Sequence, residues 1–277
     1  MGREVGVELL ELVARIDRRD ALPPVAALHL PPAFTRGTRE GEFCAVELEG
    51  GAIGLSYLLL GDTFDAMQRA QASLRIAGMP ARELAGWYRD VDPVRRTLGF
   101  AAVNAVSQHW FRQSGFVFDW ATDSIGRLDP QPGERIGMIG LFGPLTDRIV
   151  AAGARLTVLE LDPRKLGDFD GYRVTVNPRE LAGCAKVLST TTILLNDTLG
   201  SVLEACRDAR WLALVGPGGG CLPDPLFARG VTLLGGTAVV DRDGFAAALT
   251  RGEAWSRFAR KYCIERERYA GFTCASP

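Results

Sequence analysis

The sequence predicts an α/β protein in two parts: a small α+β unit over residues 1–125 and a unit with a mostly parallel sheet over residues 126–277. Three observations carry this. Two apolar strand patterns flank Gly50 and Gly51, which reads as a β-hairpin. Residues 134–162, ERIGMIGLFGPLTDRIVAAGARLTVLELD, read as strand, glycine turn, helix and strand, one right-handed βαβ unit. Beyond it, short apolar strands alternate with helical patterns, as a parallel sheet requires.

Taken in order, Val5, Leu9, Leu12, Val13 and Ile16 recur at helical spacing, with Glu8, Glu11, Arg15 and Arg18 on the other side. That predicts an amphipathic helix over 3–19, ended by Pro23 and Pro24. A strand over 25–30 and a polar loop over 31–41 lead to hairpin strands over 42–49 and 52–60. The second, AIGLSYLLL, is nearly continuous in apolar residues, which predicts cover on both of its faces. The period turns helical after Asp62 and Thr63, either of which can cap, with helices over 68–76, 82–88 and 94–113. GRLDPQPG at 126–133 is the linker. Further strands are expected at 173–176, 186–189, 211–215 and 231–234, and helices at 199–207, 224–228, 245–253 and 254–269.

The βαβ unit also carries the ligand argument. Gly140, Leu141, Phe142 and Gly143 form its turn, Pro144 opens the helix and Gly153 closes it. A glycine at 140 allows φ > 0 and lets a ligand approach the bare main chain. The spacing of Gly137, Gly140 and Gly143 is G-x-x-G-x-x-G, not the dinucleotide G-x-G-x-x-G. Pro144 removes an N–H that would hold an anion, and Asp147 puts a negative charge in the first helical turn. Glu160 ends the second strand, where an acid can accept from a ribose diol or a ring nitrogen. The combination suits a neutral or zwitterionic adenosyl-like or heterocyclic ligand better than NAD.

Thirty-two basic and thirty-three acidic residues in 277 leave a formal charge of -1, so the totals give no footprint for nucleic acid or an anionic membrane. Charges run through the first twenty residues, unlike a signal peptide, and no segment reaches the roughly 18 uncharged apolar residues of a membrane span. Cys44, Cys184, Cys206, Cys221, Cys263 and Cys274 include no C-x-x-C pair, and His29 and His109 are the only histidines. A cytoplasmic protein with reduced thiols is expected, and a homodimer is the commonest assembly for such chains.

Ligands of open α/β sheets bind beyond the carboxyl ends of the strands. Four predicted ends are polar or glycine-rich: 140–143, Glu160 with Asp162, Ser189 with Thr190, Thr191 and Thr192, and 216–220, which reads GPGGG. The threonines either contact a ligand or bond their own backbone, and the glycines form either an anion nest or a tight turn. Asn196 and Asp197 suit the cap of a helix near Thr198. Asn104 lies in the small-residue helix LGFAAVNAVSQ, where a buried amide must find partners in backbone or ligand. No Ser-His-Asp order, paired-carboxylate motif or phosphate loop is present.

EFCAVELEGGAIGLSYLL, LGFAAVNAVS, IGLFGPL, LELDP, STTTILLNDTL and LVGPGGGCLPDPLFARGV, in that order, resemble the family of unknown function described as "putative heavy-metal chelation". The resemblance implies an enolase N-terminal-like α+β domain joined to a Rossmann-like domain, with a site between them. It also implies a role with a pterin-, flavin- or siderophore-like molecule, or in metal handling itself. The residues it singles out are Asn104, Gly140, Phe142, Gly143, Glu160, Thr190, Asn196, Gly216, Pro217 and Gly218, none of them an evident metal ligand. The leading expectation is a heterocycle bound in the interdomain cleft, with its condensation or hydrolysis as the reaction class. An adenosylmethionine-dependent methyltransferase is the second reading. A non-catalytic metal or metal-chelate carrier using cysteines gathered by folding is the third.

Overall fold

The computed structural model describes residues 2–120 and 126–272. Helix α1 (Gly2–Arg19) precedes an antiparallel sheet of β1 (Val25–His29), β2 (Phe43–Leu48) and β3 (Ile53–Tyr57), in that spatial order. Helices α2 (Thr63–Ala70), α3 (Ala81–Gly86) and α4 (Pro93–Gln113) follow. The second sheet comprises β4 (Arg135–Ile139), β5 (Arg155–Leu159), β6 (Gly167–Phe169), β7 (Tyr172–Thr175), β8 (Lys186–Thr190), β9 (Trp211–Val215), β10 (Leu233–Val239) and β11 (Ala259–Glu265). Between its strands run α5 (Gly143–Ala151), α6 (Leu199–Ala205), α7 (Asp224–Phe227) and α8 (Arg242–Arg251). The eight strands lie in the order β11-β10-β9-β8-β4-β5-β7-β6, parallel except at the two edges. This is the doubly wound arrangement, with its direction reversing between β4 and β8.

Helix α4 sits at the centre. Asp92 caps it by accepting from Arg95 N–H (2.8 Å), and Pro93 supplies a preset first turn. Its residues 97–108 are buried without a break, as expected of a helix with apolar and small residues all round. Gly54 of β3 makes close packing against it possible: a Cβ there would collide with Ala101 O and Ala105 N. One face of the hairpin thus rests on α4, while Phe43, Ala45, Ile53 and Leu55 on the other meet Phe245, Ala248 and Leu249 of α8 and Trp255. The continuous apolar pattern of β3 therefore reflects two covered faces. The core beside α4 continues without interruption into Val187, Leu214 and Leu234 of the large sheet.

The expected helix over 254–269 is instead a 3₁₀ turn (Trp255–Phe258) followed by β11, paired antiparallel to β10. Tyr262 and Ile264 face one core and Cys263 the other, a period of two obscured by the surrounding arginines. Gly236 of β10 leaves the space that the Tyr262 ring fills. Strand β6 was also absent from the sequence reading. Its three residues extend β7 into a short edge hairpin.

At the amino ends of the large sheet, Glu134 accepts from Lys186 Nζ (3.1 Å), from Gln131 N–H and from Arg210. Burial pushes its carboxyl up, but the bonds from Lys186, Gln131 and Arg210 outweigh burial and hold it below the ordinary value of 4.5. A depressed folded value means stability present above the ordinary value and lost as pH falls through the folded one. Glu134→Gln is expected to lower the urea midpoint at pH 7, with the gap from wild type closing as pH falls below the ordinary value of 4.5 and through the lower folded one. An unchanged gap at acid pH would assign the loss to packing.

Candidate ligand site at the carboxyl edge of the large sheet

The strand ends converge at the point of reversal. Gly140 leaves β4 with φ 82°, its N–H bonded to Leu159 O (2.9 Å), and a Cβ there would lie 3.3 Å from Thr190 Cγ2. Leu141 N–H then points to Glu160 Oε2 (3.4 Å). Gly140, Glu160 and Thr190 are thereby neighbours across β5, β4 and β8. The Phe142 ring lies beside Gly140, half-buried, while Gly143 opens α5 with clear space around it.

Glu160 is nearly enclosed, with 14% of its side chain exposed. Its Oε1 accepts from Leu161 N–H (2.9 Å), and its Oε2 accepts from Leu141 N–H and Lys165 Nζ (3.1 Å). A carboxylate offers about four acceptor positions, so these three partners leave one on Oε1. Asp162, two residues on, is held at about 2 by its bonds from the Arg164 side chain and N–H. Thr190 Oγ1 accepts from Thr192 N–H (3.3 Å) and Thr192 Oγ1 (3.0 Å), turning the end of β8 into a 3₁₀ segment. Asn196 belongs to the same connection. Its N–H donates to Thr192 O, and its Oδ1 accepts from Thr198 N–H and Oγ1. Asp197, at φ 59°, pairs with Arg96 of α4 (2.6 Å).

Gly216, Pro217 and Gly218 follow β9 one strand further along. A Cβ on Gly216 would meet Thr191 Oγ1 at 2.6 Å, which presses this loop against the threonine segment. Helix α4 holds the loop from behind. Asn104 Nδ2 donates to Leu55 O (2.7 Å) and Gly218 O (3.0 Å), joining β3 to the loop. Gln108 Nε2 donates to Gly220 O (3.0 Å), and Ser107 Oγ accepts from Leu222 N–H (3.2 Å). Asn104 is fully buried, and its Oδ1 and the hydroxyl of Ser56 have no protein partner among the described residues.

Two residues that sequence reasoning missed come from the hairpin. Tyr57 closes β3 and Glu42 immediately precedes β2, so both sit at the open end of the hairpin. Burial raises the Tyr57 phenol, and the negative charges of Glu42 and Glu160 raise it further. Burial likewise raises the Glu42 carboxyl, opposed by Arg39. The charge of Glu160 is thus felt at Tyr57, across the gap between hairpin and large sheet. The available signal was a phenol and an acid at the ends of otherwise apolar strands. Lys165, five residues beyond Glu160, was legible only as one more surface base.

Two family models, both described as "Putative heavy-metal chelation", match residues 40–107 and 123–268. The chain belongs to this family. An uncharacterized protein of Methanocaldococcus jannaschii is 31% identical over 183 residues, covering 64% of this chain and 68% of that protein. A Pyrococcus horikoshii structure of unknown function from the family aligns over 94% of this chain and 98% of its own, with TM-score 0.67 and 23% identity. Another of unknown function, from Desulfitobacterium hafniense, covers 93% of this chain and 98% of its own, with TM-score 0.68 and 22% identity. Both likenesses show the shared fold. Among the described residues, no three or more His, Cys, Asp and Glu side chains gather into a metal site, and no helix is long and apolar enough to cross a membrane. Cys44, Cys184, Cys206 and Cys221 are free thiols, and they and Cys263 are buried, while Cys274 lies outside the described residues.

Proposed function

We propose that this family member binds a small heterocyclic molecule, pterin-, flavin- or siderophore-like, between the open end of the hairpin and the carboxyl edge of the large sheet. The observation that carries the reading is the gathering of Gly140, Glu160 and Thr190 at the strand ends, and the charge of Glu160 felt at the Tyr57 phenol supports it. A flat ring would lie on the bare main chain at Gly140 beside Phe142. The open position on Glu160 Oε1 would accept a ring N–H or hydroxyl, and Tyr57, its phenol kept protonated, would donate. Asn104 would act from behind, by holding the Gly218 loop in place. Glu42, Glu160 and Asp162, with no N–H at Pro144, favour a ligand without phosphate.

Calorimetry with a reduced pterin, a flavin, a catechol-type siderophore and S-adenosylmethionine tests this. One heterocycle is expected to bind, and Glu160→Gln to weaken it by roughly 10- to 100-fold, the worth of a hydrogen bond to a charged group. Heat from S-adenosylmethionine alone would favour the methyltransferase reading, because Glu160 is equally placed for a ribose diol. Wild-type protein binding none of the four, or Glu160→Gln binding as wild type, would overturn the proposal.

A further inference from the structure

We propose that the outer edge of β6 is a self-association surface, on which a second copy of this chain pairs antiparallel so that the two large sheets join edge to edge. Strand β6 stands last in the order of the large sheet, bonded to β7 on one side, and among the described residues no strand lies on its other side. Alternate N–H and C=O groups of such an edge point outward and can template another chain. The opposite edge differs, because there Asp119 bridges to Cys263 of β11. Apolar side chains mark the β6 margin. Leu166 immediately precedes the strand and Phe169 ends it, both exposed, with the Phe169 ring stacked on Tyr172 at 4.8 Å. Leu161 and Val176, also exposed, follow β5 and β7 at the same corner, since Leu159 stands opposite Thr175 and Gly167 opposite Val174. Single exposed apolar residues need no partner, but a group of them along an open edge marks a contact surface.

Charge says what covers this edge. Residues 164–170 read RKLGDFD, bases first and acids last. A two-fold axis reverses that order in the second copy, so Arg164 and Lys165 of one chain come alongside Asp168 and Asp170 of the other, twice per pair. The Arg164 and Asp168 side chains are 88% and 83% exposed, each beside an opposite charge of its own chain, Asp162 and Arg173, that leaves them open to solvent. Asp170 is exposed as well. A register centred on Gly167 sets that glycine beside its own copy, where no side chain obstructs the approach. It also keeps the two Asp168 residues from standing directly opposite each other, which like charges disfavour. An edge of a single sign would meet half of this pattern with repulsion, so the pattern selects a copy of itself.

The test is sedimentation equilibrium of the full chain over a range of concentrations, at low and at high salt. A monomer–dimer equilibrium is expected, weaker at high salt because the paired charges are exposed. Amide hydrogen exchange across 166–170 should slow as concentration rises, a readout that needs no variant. Arg164→Asp and Asp170→Arg should each weaken association by about 10-fold or more, because each sets like charges side by side. Combined in one chain they restore opposite signs, and association should return close to wild type. A chain that is monomeric throughout, leaving the edge to a different partner, would overturn the proposal. So would a dimer whose 166–170 amides exchange as in the monomer, or a double variant no tighter than the single ones.

Discussion

Gly54→Ala is expected to destabilise the protein by about 3 kcal/mol, among the larger effects of overfilling a core, read as a fall in the urea midpoint at unchanged slope. The added methyl would enter the backbone of α4 at Ala101 O and Ala105 N. Backbone cannot swing aside as the tip of a side chain can, so the hairpin must lift from the helix. Its other face is held by Phe245, Leu249 and Trp255, so lifting also disturbs that cluster. Gly86→Ala is the control. A Cβ there meets nothing within 4 Å and the residue ends α3 in helical geometry, so the change should be neutral or stabilise by about 0.5 kcal/mol. A Gly54→Ala midpoint indistinguishable from wild type would mean that β3 and α4 are not in this close register.

The second large effect concerns Asn104, and here the order of two variants is informative. Asn104→Leu removes the donors to Leu55 O and Gly218 O but also removes an amide oxygen that has no protein partner. Two carbonyls lose their bonds while one unpaired acceptor disappears, so the expected loss is about 2 kcal/mol. Asn104→Asp is expected to lose more, about 3–5 kcal/mol near neutral pH, because a carboxylate would face two carbonyl oxygens in full burial. The aspartate variant should recover part of this loss on acidification, as its carboxyl protonates and regains a donor. Equal losses in the two variants, or no recovery in acid, would contradict a donor role for Asn104 between β3 and the Gly218 loop.

Local rules made the central unit readable. Strands β4 and β9, helix α4 and the turn at Gly140 follow from apolar runs bounded by glycine or proline, and such signals survive folding because they act within a few residues. Applied to those strand ends, the rule that ligands gather beyond the carboxyl edge was enough to group Gly140, Glu160 and Thr190 before any contact was known. Strand β11 was hidden because charged residues dilute its alternation, and its identity depends on the glycines of β10, distant in sequence. The partners of Asn104, Gln108 and Ser107 were equally out of reach. Each bonds a loop more than one hundred residues away, and nothing in LGFAAVNAVSQ says which backbone groups will arrive. Tyr57 and Glu42 gained meaning only from the charges that act on the phenol across the fold, those of Glu42 and Glu160.

The most direct measurement is a crystal structure of the full chain soaked with the heterocycle that calorimetry selects. A planar molecule should lie over Gly140 beside Phe142, with a donor on Glu160 Oε1 and the Tyr57 hydroxyl within hydrogen-bond reach. Side chains closing the space between Tyr57 and Glu160, or the molecule seated elsewhere with Glu160 still held only by Leu141, Leu161 and Lys165, would contradict it.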